Sequence, residues 1–180
     1  MSDTVDSASL MGDDLETWAA LATVLEQLPS ALDAQLLADA GLTHFEYGIL
    51  FALASAPDRT LRMSVLAGYA NSSLSRLSRA ATRLESRDWM SRVTDPADGR
   101  YTLAVLTDAG RGKVDDATPG HVQTVRAIVL DQLTQAQKRQ LREISRRIAR
   151  AISGDEGWQP TYSTVEPVTD SEAPKKKMSR

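Results

Sequence analysis

Residues 71–106 constrain the fold of this chain more than any other stretch. Over 71–90, NSSLSRLSRAATRLESRDWM, the residues Leu74, Leu77, Ala81 and Leu84 recur at helical spacing on one face, while Arg76, Arg79, Arg83 and Arg87 fall on another. A helix patterned this way must bury its leucine stripe and leaves arginine and serine outward. Two short extended runs follow, 91–93 and 101–106. They are divided by a tight polar turn from which Arg100 protrudes. A rigid cationic helix followed by a small ribbon with a basic tip is suited to the grooves of a nucleic acid duplex.

The residues just upstream complete the unit. Thr60-Leu61-Arg62 reads as a third short strand, and Ser64 is placed to cap a helix over 65–69 that buries Val65 and Leu66. Ala70-Asn71 then turns the chain into the arginine-faced helix, for which Asn71, Ser72 and Ser73 are all suitable caps. Two helices joined by a short turn, the second presented outward, form a helix-turn-helix. With the strand–turn–strand that follows, the expected class is mainly α (α+β), a winged helix-turn-helix with a small antiparallel β-wing. Arg62 and Arg92, near the small sheet, are placed by this reading within reach of phosphates.

Helical segments flank the unit on both sides. From 13 to 40 apolar residues recur at helical spacing, interrupted by Pro29, which is expected to kink or split the run, and ended by Gly41. Thr43 and Glu46 read as a capping box for a helix to about 55 that carries Phe45, Ile49, Leu50 and Leu53 into a core. After the wing, Thr107 is placed to cap another helix, with a break or kink at Thr118-Pro119-Gly120 and helix again over 121–130. Thr134 and Gln137 form a second capping box. The last helix, through 152 and closed by Gly154, lines up Leu141, Ile144 and Ile148. Segments 1–12 and 154–180 are polar and are expected to be disordered tails. The expected domain is therefore 13–153, with helices 13–40 and 107–153 around a reading unit at 43–106. The apolar faces of the flanking helices are too wide for one small unit to cover, which predicts a second copy across a two-fold axis.

Composition closes off other chemistries. The chain has no cysteine, and its two histidines, His44 and His121, match no metal-ligand spacing. No glycine-rich phosphate loop and no nucleophile beside an orienting base present themselves, so no catalytic residue, metal or cofactor is assigned and an enzyme is not expected. No apolar run approaches the roughly 20 residues of a membrane helix, and the acidic N-terminus carries no signal segment, so a cytoplasmic protein without a membrane partner is expected. The net charge of −3 conceals an asymmetry: −10 over 1–58, +4 over 59–100 and +3 over 101–180. The basic middle coincides with the helix and its wing. The Lys175–Lys177 run reads as a solvated, weakly DNA-attracting extension.

In order and spacing, LTHFEYGIL (42–50), LRMSVLAGYA (61–70), SSLSRLSRAATRLESRDWM (72–90), DPADGR (95–100), AVLTDAGR (104–111) and PGHV (119–122) together resemble the multiple-antibiotic-resistance regulator (MarR) family of bacterial transcription factors. The resemblance implies a homodimer joined by its first and last helices, each protomer docking a recognition helix in the major groove and a wing in the minor groove of double-stranded DNA. Carried over by position, Ser72, Ser73, Ser75, Arg76 and Arg79 lie on the groove-facing part of the recognition helix. Asp98 steadies the wing and Arg100 enters the minor groove. The chain departs from the family pattern at Gly99, where a second arginine is common, and at Asp88, where glycine is usual at the helix end. The implied function is a ligand-responsive repressor on a palindromic operator; a winged-helix protein-interaction module without specific DNA binding is the alternative. Many relatives bind small aromatic ligands where the dimerisation helices meet the DNA-binding lobe. Trp18, His44 and Tyr47 are the candidate lining for such an effector. The plainer reading of Trp18 and Tyr47, as core or interface aromatics, stands ahead of it, and His44 is expected to be exposed.

Overall fold

The computed structural model describes residues 9–153, so the expectations for 1–8, Gly154 and the C-terminal segment lie outside the described residues. The elements run α1 (Gly12–Ala40), α2 (His44–Ser55), β1 (Thr60–Arg62), α3 (Met63–Tyr69), α4 (Leu74–Glu85), β2 (Met90–Thr94), β3 (Thr102–Leu106), α5 (Asp108–Ile128) and α6 (Gln135–Ser153). The sheet is antiparallel in the order β1-β3-β2. Leu61 lies opposite Ala104 and Arg92 opposite the same residue on the other side. This is the mainly α winged helix-turn-helix with flanking helices that the sequence implied.

The cap residues mark the helix starts. Thr43 accepts from the Glu46 amide while the Glu46 carboxylate accepts from the Thr43 amide, both at 3.1 Å. Thr107 accepts from the Gly110 amide at the head of α5, and Thr134 and Gln137 make the reciprocal pair at the head of α6. Gly41 ends α1 in the left-handed conformation, its amide returning to the last turn.

Several expectations give way. Pro29 does not split α1, nor does Pro119 break α5; each lies inside one continuous helix. Pro29 and Leu25, whose carbonyl loses its helical donor, are both exposed, as are Pro119 and Asp115, so each missing bond falls on a solvent-facing side of its helix rather than in the core. α3 begins at Met63 with no side-chain cap, which leaves Ser64 inside the helix and Val65 exposed rather than buried. α4 is shorter than the amphipathic pattern: Leu74 occupies its first turn and is 54% exposed, outside the core that Leu77 and Leu84 reach.

That core is built from Leu36 and Leu42, Leu50 and Leu53 of α2, Leu66 of α3, Leu77 and Leu84 of α4, and Met90 and Ala104 of the sheet. It locks α4 and the wing to α2. The first turn of α5 docks against the residues that end α4. Thr107 donates its hydroxyl to the Asp88 carbonyl, and Gly110 lies so near the Trp89 carbonyl that a Cβ there would stand 1.9 Å from the oxygen. Asp88 itself takes the left-handed conformation, φ 57°, at the position where the family's glycine is absent. α6 stands apart, with 139–152 exposed throughout.

Candidate nucleic-acid interface

The exposed face of α4 is organised from its first turn. Asn71 reverses the chain in the left-handed region, φ 42°. Ser73 accepts from the Arg76 amide at 3.2 Å, and Ser72 donates to the Ser73 carbonyl. Because Leu77, Ala80, Ala81 and Leu84 are buried, Ser75, Arg76 and Arg79 are forced outward. All three are exposed.

The three arginines of this helix and Arg87, just past its end, are not equivalent. Arg83 donates to the buried Glu46 carboxylate at 2.8 Å. Arg87 donates to the Gly41 carbonyl at 2.8 Å and lies over the Trp89 ring. Both therefore tie α4 to the α1–α2 corner, and neither pairs with Glu85 or Asp88, the acids nearest in sequence. Arg76 and Arg79 have no carboxylate partner among the described residues. The Arg76 guanidinium rests 4.3 Å from the centre of the Phe45 ring of α2, a cation–π contact. An open pocket of about 280 Å³ lies here, lined by Asp33, Thr43, Phe45, Arg76, Arg79 and Arg83.

The wing turn is closed by two carboxylates. Asp95 accepts from the Ala97 amide at 2.9 Å and from the Arg62 guanidinium at 3.0 and 3.2 Å; Arg62 also covers the Tyr101 ring at 4.2 Å. The Ala97 amide first, then Arg62, holds the Asp95 carboxyl below the ordinary range despite its burial. Asp98 accepts from the Arg100 amide and from its guanidinium, the shortest contact 2.6 Å. That pairing lowers the Asp98 pKa and raises that of Arg100. Arg100 nonetheless keeps 82% of its side chain exposed at the tip.

Arg92 has a different environment. From β2 it donates to Glu85 through its amide and guanidinium, to Ser78 at 3.1 Å and to Thr82 at 3.0 Å. These three acceptors lie on one stripe of α4. Arg92 thus laces the wing to α4, and its guanidinium and amide hydrogen bonds hold the Glu85 carboxyl low.

The three residues considered for an effector do not form one site within the protomer. Tyr47 is buried, its hydroxyl 3.0 Å from Thr118 Oγ1. His44 is not exposed as expected: its ring packs 5.5 Å from that of His121, which lies 4.7 Å from Tyr47. His121 Nδ1 lies 3.3 Å from Gln35 Oε1. Burial lowers the pKa of both histidines, opposed at His44 by Asp33 and reinforced at His121 by His44. Trp18 is 51% exposed and, at 1.5 Å per residue, stands about 22 Å along α1 from Asp33. A larger open pocket of about 590 Å³ lies instead between α2 and α5, against Phe51, Ala54, Val114, Thr118, Pro119 and Val122.

Phe45, Glu46, Glu85 and Asp95 were not singled out as site residues by the sequence. Asp95-Pro96 carried a signal, since an aspartate before proline starts turns. Phe45 and Glu46 meet Arg76 and Arg83 from distant positions, whereas Glu85 meets Arg92 only seven residues on, once the chain has turned from α4 into β2. No group of histidine, aspartate or glutamate among the described residues could hold a metal ion, and no helix among them is long and apolar enough to cross a membrane.

A model of the MarR family matches residues 40–100. Among solved structures, the chain is similar to Sco3205, a MarR family transcriptional regulator from Streptomyces coelicolor in complex with DNA. The two share 40% identity over 83% of this chain and 99% of that one, with a TM-score of 0.79. It is similar also to AbsC, a MarR family transcriptional regulator from the same organism, at 30% identity over 80% and 97% with a TM-score of 0.77. PcaV, a transcriptional regulator from Streptomyces coelicolor in complex with its natural ligand, shares the fold at 24% identity over 80% and 100%, TM-score 0.66. No curated protein matches the chain.

Proposed function

This chain belongs to the MarR family, and from that premise we propose that it is a homodimeric, sequence-specific DNA-binding repressor. The observation that carries the reading is the outward pair Arg76 and Arg79 on a capped helix, with the exposed Arg100 on the wing braced to it. In this reading Ser72, Ser73, Ser75, Arg76 and Arg79 meet the major groove and Arg100 the minor groove, where a narrow A·T-rich segment attracts it. Asp98 orients Arg100 at the wing tip. Arg62 and Arg92 serve the interface by holding the wing. The dimer presents two such heads to a palindromic operator, with half-site centres about 34–36 Å apart.

Ligand response is part of the proposal. PcaV is in complex with its natural ligand, and the pocket against Phe51 and Val122 offers apolar walls between the reading head and α5, suited to a small aromatic effector. Tyr47 and His44 would then act behind that pocket through Thr118 and His121, with Trp18 contributing only across the dimer.

The test is a footprint and titration on the DNA upstream of the protein's own gene. A protected inverted repeat bound more tightly than random duplex, with affinity falling steeply as salt rises, is the expected result. Equal affinity for random and upstream DNA at every salt concentration overturns specificity, and no binding to either leaves the protein-interaction reading in its place.

A further inference from the structure

Arg76 and Arg83 lie two turns apart on α4, within about 20° of one another at 100° per residue, and both meet the first turn of α2. Their partners there are consecutive residues of opposite chemistry. Arg83 gives its Nε–H to the Glu46 carboxylate at 2.8 Å. Arg76 instead lies over the Phe45 ring, 4.3 Å from its centre. An acid is close enough to have been used: Asp33 lines the same pocket as Phe45 and Arg76. Its carboxylate accepts from the His44 amide at 2.6 Å, and it makes no ion pair with Arg76.

The difference decides what each arginine has left to offer. A carboxylate takes up guanidinium N–H groups and neutralises the charge. An aromatic ring attracts the cation through its face and supplies no lone pair in return, so the N–H groups and the charge stay available. The ring is itself held in place. Phe45 is half-buried and packs against the core, in a first turn that the Thr43–Glu46 capping box closes and that Glu46 fastens to α4 through Arg83.

We infer that Phe45 is a positioning residue for base reading, restricting the Arg76 side chain to one side of α4 while leaving its donors free for a base edge. The inference rests on the DNA-binding reading of the preceding subsection. A bidentate contact to a guanine needs the guanidinium at one place and in one plane. An arginine without the ring beneath it pays more rotamer entropy to arrive there and reaches phosphates instead, which carry no sequence information. Phe45 therefore acts on discrimination between sequences, and not on the number of charges brought to the duplex.

Two measurements on the full chain test this. In the free protein, the ring current of Phe45 should move the Arg76 side-chain resonances upfield, and Phe45→Leu should return them to the range of other exposed arginines. In titrations, the protected upstream site is compared with the same duplex exchanged at the base pair where Arg76→Ala relaxes preference. Phe45→Leu should bind the site about two- to fivefold more weakly, the factor an exposed cation–π contact supplies. Discrimination between the two duplexes should fall by the same factor, with the salt slope unchanged because no charge is lost. Phe45→Tyr, which restores the ring, should restore both. In an Arg76→Ala background Phe45→Leu should change nothing further. Thermal melting sets a temperature at which every variant is folded, and Phe45→Met replaces Phe45→Leu if the latter does not fold.

If the wild type binds no DNA sequence in preference to another, the DNA-reading proposal falls and this inference with it. If the wild type is specific but Phe45→Leu discriminates equally well, the positioning role alone is overturned. The same holds if Phe45→Leu costs as much without Arg76 as with it, which would make the ring a structural support, or if the Arg76 resonances of the free protein are unshifted.

Discussion

Glu46 is the residue on which most depends for its size. It is 5% exposed, closes the cap of α2 and accepts from Arg83 of α4. Burial resists its ionisation, but the Thr43 amide and Arg83 outweigh it and its carboxyl stays below the ordinary 4.5. Glu46→Gln keeps the shape and loses the charge-assisted bond. Because Arg83 is half-exposed and screened, the expected cost is about 1–2 kcal/mol, read as a melting point lower by several degrees. Acid should act on the same groups in sequence. His44 and His121 are held below 6.5, so the unfolded chain takes up protons that the folded chain refuses. Stability is full above about 6.5, declines as pH falls below it, and declines again below 4.5 as Glu46 loses its charge. Melting points followed across pH should show both steps, and His44→Gln/His121→Gln should remove only the first. A profile flat from about pH 7 to 5 would contradict the histidine step. The sequence disclosed Glu46 as a cap, because a capping box spans four consecutive residues. It did not disclose the histidine cluster, whose two rings are distant in the chain and meet only when α5 crosses α2.

At the scale of elements, the sheet and the capped starts of α2, α4, α5 and α6 were legible, since caps, turns and alternation are local, whereas α3 starts without a side-chain cap and ahead of Ser64. What escaped was the fate of each interruption. Pro29 and Pro119 are tolerated because of where they face, and facing is set by tertiary packing. Val65 and Leu74 carry apolar side chains at helix starts, where periodicity cannot decide exposure. The contact between α5 and the end of α4 was invisible for the same reason, and it makes two neighbouring glycines opposite in kind. Gly110→Ala drives a Cβ into the Trp89 carbonyl and is expected to cost about 3 kcal/mol or more. Gly112→Ala meets nothing within 4 Å and should stabilise the helix by about 0.5–1 kcal/mol; chemical denaturation of the two variants measures both. Arg92→Met removes the lacing of β2 to α4. The expected result is a loss of about 2 kcal/mol in stability, together with DNA binding weakened at a temperature where the variant is still folded. Wild-type DNA affinity in a folded Arg92→Met would show that the lacing has no bearing on recognition.

For the whole molecule, the average charge misleads and its distribution informs. The fold of the reading head was legible because helix, turn and strand signals lie within a few dozen residues. The use of its arginines was not, because nothing in their spacing separates Arg83 and Arg87, which fasten the head, from Arg76 and Arg79, which face outward. Two substitutions should divide along this line. Arg76→Ala is expected to cost about 1–3 kcal/mol in operator binding and to relax preference at one base position. Arg100→Ala should weaken binding with little change in major-groove preference and a shallower salt dependence, both read from titrations at several ionic strengths. The bonds from Arg92 to Ser78, Thr82 and Glu85 bear on how such a protein can be released from DNA. With wing and helix fastened along most of the helix's length, a head has little freedom to change shape internally. In the proposed dimer, an effector would then act by altering the distance and tilt between two unchanged heads, so that one head finds its half-site only when the other has lost its own.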